Sequence, residues 1–206
     1  MSLRKLSIAS VAILICASTF AEEKLEPLVV ESSIFSEHTN TEHAQTVNII
    51  TTQELESKNV TTLGDAVNDE PGISSTHFTT GASRPIIRGQ SDHRVMMLEN
   101  GVSSSDVSSL SDDHAVSIEP LHAQQIEILR GPATLRYGPG AVGGLVNVIN
   151  NRLPQSLPDK AFNLDLSAEH ATVSEGNTIG VDLNGSVQNF SWHFDALSRN
   201  TEDYDI

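Results

Sequence analysis

The chain has 206 residues, with 27 acidic and 12 basic side chains and a formal net charge of -15. That balance excludes nucleic acid as a partner, because phosphate binding needs a basic surface. A single cysteine leaves no internal disulfide and no zinc–thiolate centre.

Arg4 and Lys5 precede an apolar run from Leu6 to Ile15, and Thr19-Phe20-Ala21 forms a small-residue cleavage site, so residues 1–21 are predicted to be a secretory signal peptide. Cys16 follows Leu14 and Ile15, which are too bulky for a lipid-anchor site. The run is too short for a spanning helix, and no other segment is long enough. Strands must therefore make any membrane contact. Residues 22–42 are mostly polar and are expected to form a flexible segment. Its apolar patch Leu28-Val29-Val30 reads either as a stray edge strand or as a peptide that a partner captures by strand addition.

From Gln45 to Pro154 the pattern is that of a mixed domain. Thr46 to Ile50 reads as a strand, Thr52 with Glu54-Leu55 as a helix start, and Thr62 as an N-cap with Asp65 three residues on. Pro71-Gly72 stops that helix. Pro85 to Arg88, Arg94 to Leu98, Gln125 to Leu129 and Gly144 to Ile149 are strand candidates, and Asn100-Gly101 is a turn dipeptide. Val102 to His114, rich in Ser and Asp, reads as a functional surface loop. Pro120 predicts the first turn of a short helix within Ser117 to Gln124.

Beyond Pro158 the period becomes two. Phe162, Leu164, Leu166 and Ala168 alternate with polar neighbours, as do Ile179, Val181, Leu183 and Val187, and Phe190, Trp192, Phe194 and Ala196. Three strands with one oily and one polar face belong to a soluble sandwich or to an outer-membrane barrel. The secretory address and the strand length favour the barrel.

Gly138-x-Gly140-x-x-Gly143 matches a dinucleotide fingerprint only formally, since a strand pattern follows where a helix should. Asp92-His93 and Asp112-Asp113-His114 offer the imidazole–carboxylate set that zinc takes when cysteine is absent, although one pair is an incomplete site. Arg88 and Arg130 each close an apolar strand with a charge, as rim residues or as partners of another wall.

Thr62-Leu-Gly-Asp-Ala-Val67, Pro71-Gly-Ile-Ser-Ser75, Arg84-Pro-Ile-Ile-Arg-Gly89 and Met97-Leu-Glu-Asn-Gly-Val102 occur in order, followed by Ile126-Glu-Ile-Leu-Arg-Gly-Pro-Ala-Thr-Leu-Arg-Tyr-Gly138 and Gly143-Gly-Leu-Val-Asn-Val-Ile149. Together they resemble the plug domain of a TonB-dependent outer-membrane receptor, over residues 43–154. The resemblance implies an α+β plug, a small mixed sheet with short helices, followed over residues 155–206 by the first antiparallel strands of a transmembrane β-barrel. It identifies Glu26, Pro27, Leu28, Val29 and Val30 as similar to the TonB box. The implied partners are the TonB energy-coupling complex, outer-membrane lipid and the remaining barrel. The implied location is the outer membrane of a Gram-negative bacterium, with a periplasmic N-terminal segment. Arg88 and Arg130 are expected to pair with acids of the barrel wall, and a transporter is expected rather than a transcription-signalling transducer.

For cargo, Ser111-Asp-Asp-His-Ala115 is similar to the Asp-His segment of the family's zinc-uptake branch, with Asp112 in place of its usual proline. Asp113 and His114, and secondarily Asp92 and His93, are therefore candidate zinc ligands, zinc being cargo and not a cofactor. Siderophore or haem uptake is the alternative, which aromatic loop residues would support; Val102 to His114 has none. A soluble periplasmic metal-binding module is the reading from another class. A metallohydrolase built on Asp112, Asp113 and His114 ranks last, so no enzyme is expected. A barrel of about 22 strands needs over two hundred residues in strands alone. Three strands cannot close, so the chain is expected to be a fragment or a truncated product that alone transports nothing.

Overall fold

The structure, a computed structural model, describes residues 46–202 apart from 59, 105, 155, 159 and 173. The proposed signal peptide and the box at Glu26 to Val30 lie outside the described residues.

The strand β1 (Thr46–Thr51) runs directly into the helix α1 (Thr52–Lys58). The helix α2 (Leu63–Val67) starts where its cap residue dictates: the Thr62 hydroxyl accepts from the Asp65 amide at 3.2 Å and donates to the Asp65 carboxylate at 2.7 Å. Next come β2 (Ile73–Ser75), β3 (Pro85–Ile87), β4 (Val95–Glu99), β5 (Val102–Ser103), β6 (Ala123–Arg130) and β7 (Gly144–Asn150). Asn100 and Gly101 both have positive φ, 51° and 81°, which a tight hairpin turn requires. They join β4 to β5, a hairpin partner that the serine-rich text concealed.

Five strands form one mixed sheet in the order β1-β6-β7-β4-β5, in which only β4 and β7 run parallel. One face carries Ile50, Ile126, Ile128, Val146 and Val148, covered by Leu55, Leu63, Val67 and Ile87. On the other face Leu129, Leu145 and Leu98 form a smaller cluster. The alternation in Gln125 to Leu129 suggests a solvated polar side, yet Glu127 is fully buried. It accepts from Gln125 Nε2 at 2.9 Å and Asn147 Nδ2 at 3.0 Å, and this pairing is what lets a carboxylate sit inside. The helix expected around Pro120 does not form. A single turn closes there, with the Ala123 amide donating to the Pro120 carbonyl at 3.0 Å, because Ala123 already begins β6.

β8 (Asn163–Ala171), β9 (Gly176–Val187) and β10 (Phe190–Asn200) make a separate antiparallel sheet, here called the wall. The wall is inverted relative to a soluble sheet. Thr178, Asp182 and Asn184 point towards the plug and are 7–8 % exposed, whereas Leu166 and Ile179 point away and are 70 % and 60 % exposed. Phe194 and Leu164 share the outer side. Such a face suits lipid, not water.

The single tryptophan, Trp192, alternates with inward-facing His193, and its ring lies 6.0 Å from that of Phe162. Brominated detergent should therefore quench Trp192 emission strongly while leaving the fold intact by circular dichroism. Unquenched emission would show that protein covers this face.

Candidate functional site

Two polar assemblies lie outside the plug core. The first joins plug to wall. Asp165, Asp182 and Asp195 stand abreast on neighbouring strands, an arrangement that like charges resist. Arg152, from the plug's end, answers with two parallel bonds to Asp195 at 3.0 and 3.2 Å and a third to Glu99 at 2.9 Å. His193 Nε2 lies 3.2 Å from Asp195 and 3.7 Å from Asp182, and Asn184 donates to Asp182 at 2.9 Å. In the reverse direction Arg199 of the wall forks onto Glu119 of the plug at 3.0 and 3.1 Å. Gly180 allows this close approach, since a Cβ there would come within 2.9 Å of both His122 Nε2 and Leu121 Cδ2.

The second assembly is an open cleft lined by Phe78, Asp92, Leu110, Ser111, Asp112 and Asp113. It lies at the end of the wall where β10 finishes, because Thr80 donates to Thr201 at 3.0 Å. Phe78 and Leu110 are 62 % and 82 % exposed, so the cleft offers bare apolar surface beside carboxylates. Below it the Asp106 carboxylate accepts from the amides of Ser108 and Ser117 at 3.0 Å each, and from both hydroxyls. Burial pushes the Asp106 carboxyl up, but the bonds from Ser108 and Ser117 outweigh it and hold the group below the ordinary aspartate value. Arg84, 4 % exposed, lies beside it. Burial pulls its guanidinium down from the usual value, against the attraction of Asp106, Asp92 and Asp112.

The predicted zinc ligands are only partly brought together. His114 Nε2 lies 3.9 Å from Asp113 Oδ1, both side chains half exposed, and the Ser111 hydroxyl bonds the same carboxylate and lowers its pKa. Asp92 lines the cleft and accepts from Ser91 at 2.9 Å, whereas His93 is exposed in the 3-10 turn Asp92–Arg94. Among the described residues no three His, Cys, Asp or Glu side chains gather as a metal site. Arg130 is not a rim residue: it turns inward, donating to the Pro71 carbonyl and to Asn48. Burial, then the neighbouring Arg88, lowers its pKa. Arg88 is exposed, and its side chain makes no hydrogen bond or ion pair among the described residues. The wall present here is reached instead by Arg152. Sequence reasoning missed Phe78, Arg84 and Asp106; the segment it searched for aromatic residues was only one side of the cleft.

A family model described as TonB-dependent Receptor Plug Domain matches residues 39–145. Among curated relatives, the "Probable TonB-dependent siderophore receptor PirA" of Acinetobacter baumannii is 26 % identical over 183 residues, covering 81 % of this chain and 24 % of that receptor. The ferrioxamine receptor of Yersinia enterocolitica is 25 % identical, over 77 % of this chain and 22 % of its own. The chain thus spans about a quarter of the length of these relatives. A solved ferric enterobactin receptor, a PfeA mutant from Pseudomonas aeruginosa in complex with enterobactin, shares the fold, with a TM-score of 0.62 at 23 % identity over 77 % of this chain and 25 % of that one.

Asp106 sets an acid limit on the cleft. Because its folded pKa lies below the unfolded value of about 3.9, its contribution is complete above that value and disappears as pH falls through the folded one. Amide shifts of Ser108 and Ser117 should report the transition below pH ~4, and Asp106→Asn should abolish it.

Proposed function

Since the chain belongs to the family of TonB-dependent receptor plug domains, we propose that it forms the plug and the first wall strands of an outer-membrane receptor for a ferric siderophore. The cleft at the wall-anchored end of the plug carries this reading. It supplies an exposed aromatic ring, Phe78, and an exposed leucine beside hydrogen-bonding groups. A metal wrapped in an organic chelator needs such a surface, while a bare ion needs converging ligands. The relatives named above are receptors for siderophores, ferrioxamine among them.

This reading replaces zinc as cargo. The Asp113–His114 pair supplies two ligands, and a zinc site takes four, of which protein usually gives at least three. The siderophore alternative from the sequence thus becomes the leading one, and the aromatic side chain that it lacked comes from a different loop.

Glu26 to Val30 are the proposed contact for the TonB complex, the partner whose pull rearranges the plug. Arg88 and Arg130, adjacent and of like charge, are the proposed partners of acidic wall residues beyond β8 to β10. The inverted wall supports a location in the outer membrane of a Gram-negative bacterium, and the proposed role is transport, as the relatives are receptors.

The chain in detergent micelles should be titrated with ferric ferrioxamine, ferric enterobactin and Zn2+. A ferric chelate is expected to bind, with Phe78→Ala weakening it about tenfold, equivalent to ~1.4 kcal/mol. Zinc binding abolished by Asp113→Ala/His114→Ala, without chelate binding, would reverse the assignment.

A further inference from the structure

The two sides of the cleft come from distant parts of the plug. Asp92 stands on one side, at the start of a 3-10 turn, and Leu110 to Asp113 on the other. Little apolar packing holds the second side: Val107 and Leu110 are both largely exposed, and its buried foothold is Ser108, which is polar. What fastens it is a polar hub. Arg84 Nη2 donates to the Asp92 carbonyl at 2.9 Å and to the Val95 carbonyl at 3.1 Å. Its Nη1 donates to the Ser108 hydroxyl and lies 3.9 Å from Asp106 Oδ1. Asp106 in turn gathers Ser108 and Ser117 from the two ends of the loop.

A guanidinium is suited to this task because its donors are fixed in one plane and point to opposite sides. Burial of an arginine whose nearest carboxylate is 3.9 Å away, and whose Nε has no hydrogen-bond partner, is a poor source of stability. A fixed spacing between two segments is what such a group provides better than an apolar side chain would.

We propose that Arg84, braced by Asp106, is a positioning residue that sets the separation of the two sides of the cleft and thereby the affinity for the ferric chelate. The affinity half of this inference rests on the cleft being the cargo site. The spacing half stands on the hydrogen bonds alone.

The chain in detergent micelles should be compared with Arg84→Gln, Arg84→Lys and Asp106→Asn by hydrogen exchange and by ferric ferrioxamine titration. Arg84→Gln is expected to speed exchange of the Ser108 to His114 amides about tenfold while β6 and β7 stay protected, and to weaken chelate binding by a similar factor. Lysine, lacking the fork, should not rescue either readout, and Asp106→Asn should give a smaller change of the same kind. Unchanged exchange at Ser108 to His114, or faster exchange spread equally through β4, β6 and β7, would overturn the positioning role. If Phe78→Ala weakens the chelate but Arg84→Gln does not, the link to affinity is wrong. If Phe78→Ala has no effect, the cleft reading fails, and the exchange result still decides the spacing. Should Arg84→Gln not fold, Asp106→Asn carries the same comparison.

Discussion

The arrangement of this molecule depends on a sheet whose polar side turns towards the plug and whose apolar side turns away from it. β8 to β10 turn their apolar residues outward, so Asp182 and Asp195 must be accommodated against the plug, with the exposed Asp165 abreast of them. Three carboxylates abreast repel, and the repulsion is relieved by specific groups. Arg152 forks onto Asp195, His193 lies between Asp182 and Asp195, and Asn184 donates to Asp182. Plug and wall are therefore held by charge and hydrogen bonds, not by oil. Such a contact can be close-fitting yet separable, because breaking it exposes groups that water solvates well.

The plug obeys the opposite rule. Its five-stranded sheet buries aliphatic side chains on one face and a satisfied carboxylate network around Glu127 on the other, which fixes the sheet rigidly. Rigidity there permits economy at the top, where loops carry exposed apolar groups and are fastened by the Arg84–Asp106 hub. The proposed function sits on the loops and the stability beneath them. The edge strand β1 continues towards the N-terminal segment proposed to meet the TonB complex. Arg130 donates to Asn48 of β1 and to the Pro71 carbonyl, which ties the first strand to the plug body.

Much of the fold was legible along the chain. The strands at Thr46, Arg94, Gln125 and Gly144, the cap at Thr62 and the turn at Asn100-Gly101 all follow from local chemistry: alternation, a hydroxyl before a helix, and two residues tolerant of positive φ. The wall strands were equally plain, since a period of two survives whichever side faces the core. Pro120 misled for a local reason as well. Its fixed φ suits a first helical turn, but the strand starting at Ala123 left no room for a second.

Taken alone, then, the sequence determined the elements, their two-sided character and the acidic balance, because these depend on neighbours within a few positions. The tertiary structure alone decided which charges meet. Arg152 and Asp195 are 43 residues apart, Arg199 and Glu119 80, and nothing local distinguishes these arginines from Arg88. It also turned Arg130 inward, buried Arg84 and brought Phe78 and Leu110 to one cleft. The physical reason is range. Propensity and alternation are set by the backbone's own period, whereas ion pairs and clefts exist only once chain closure has brought remote segments within a few ångströms.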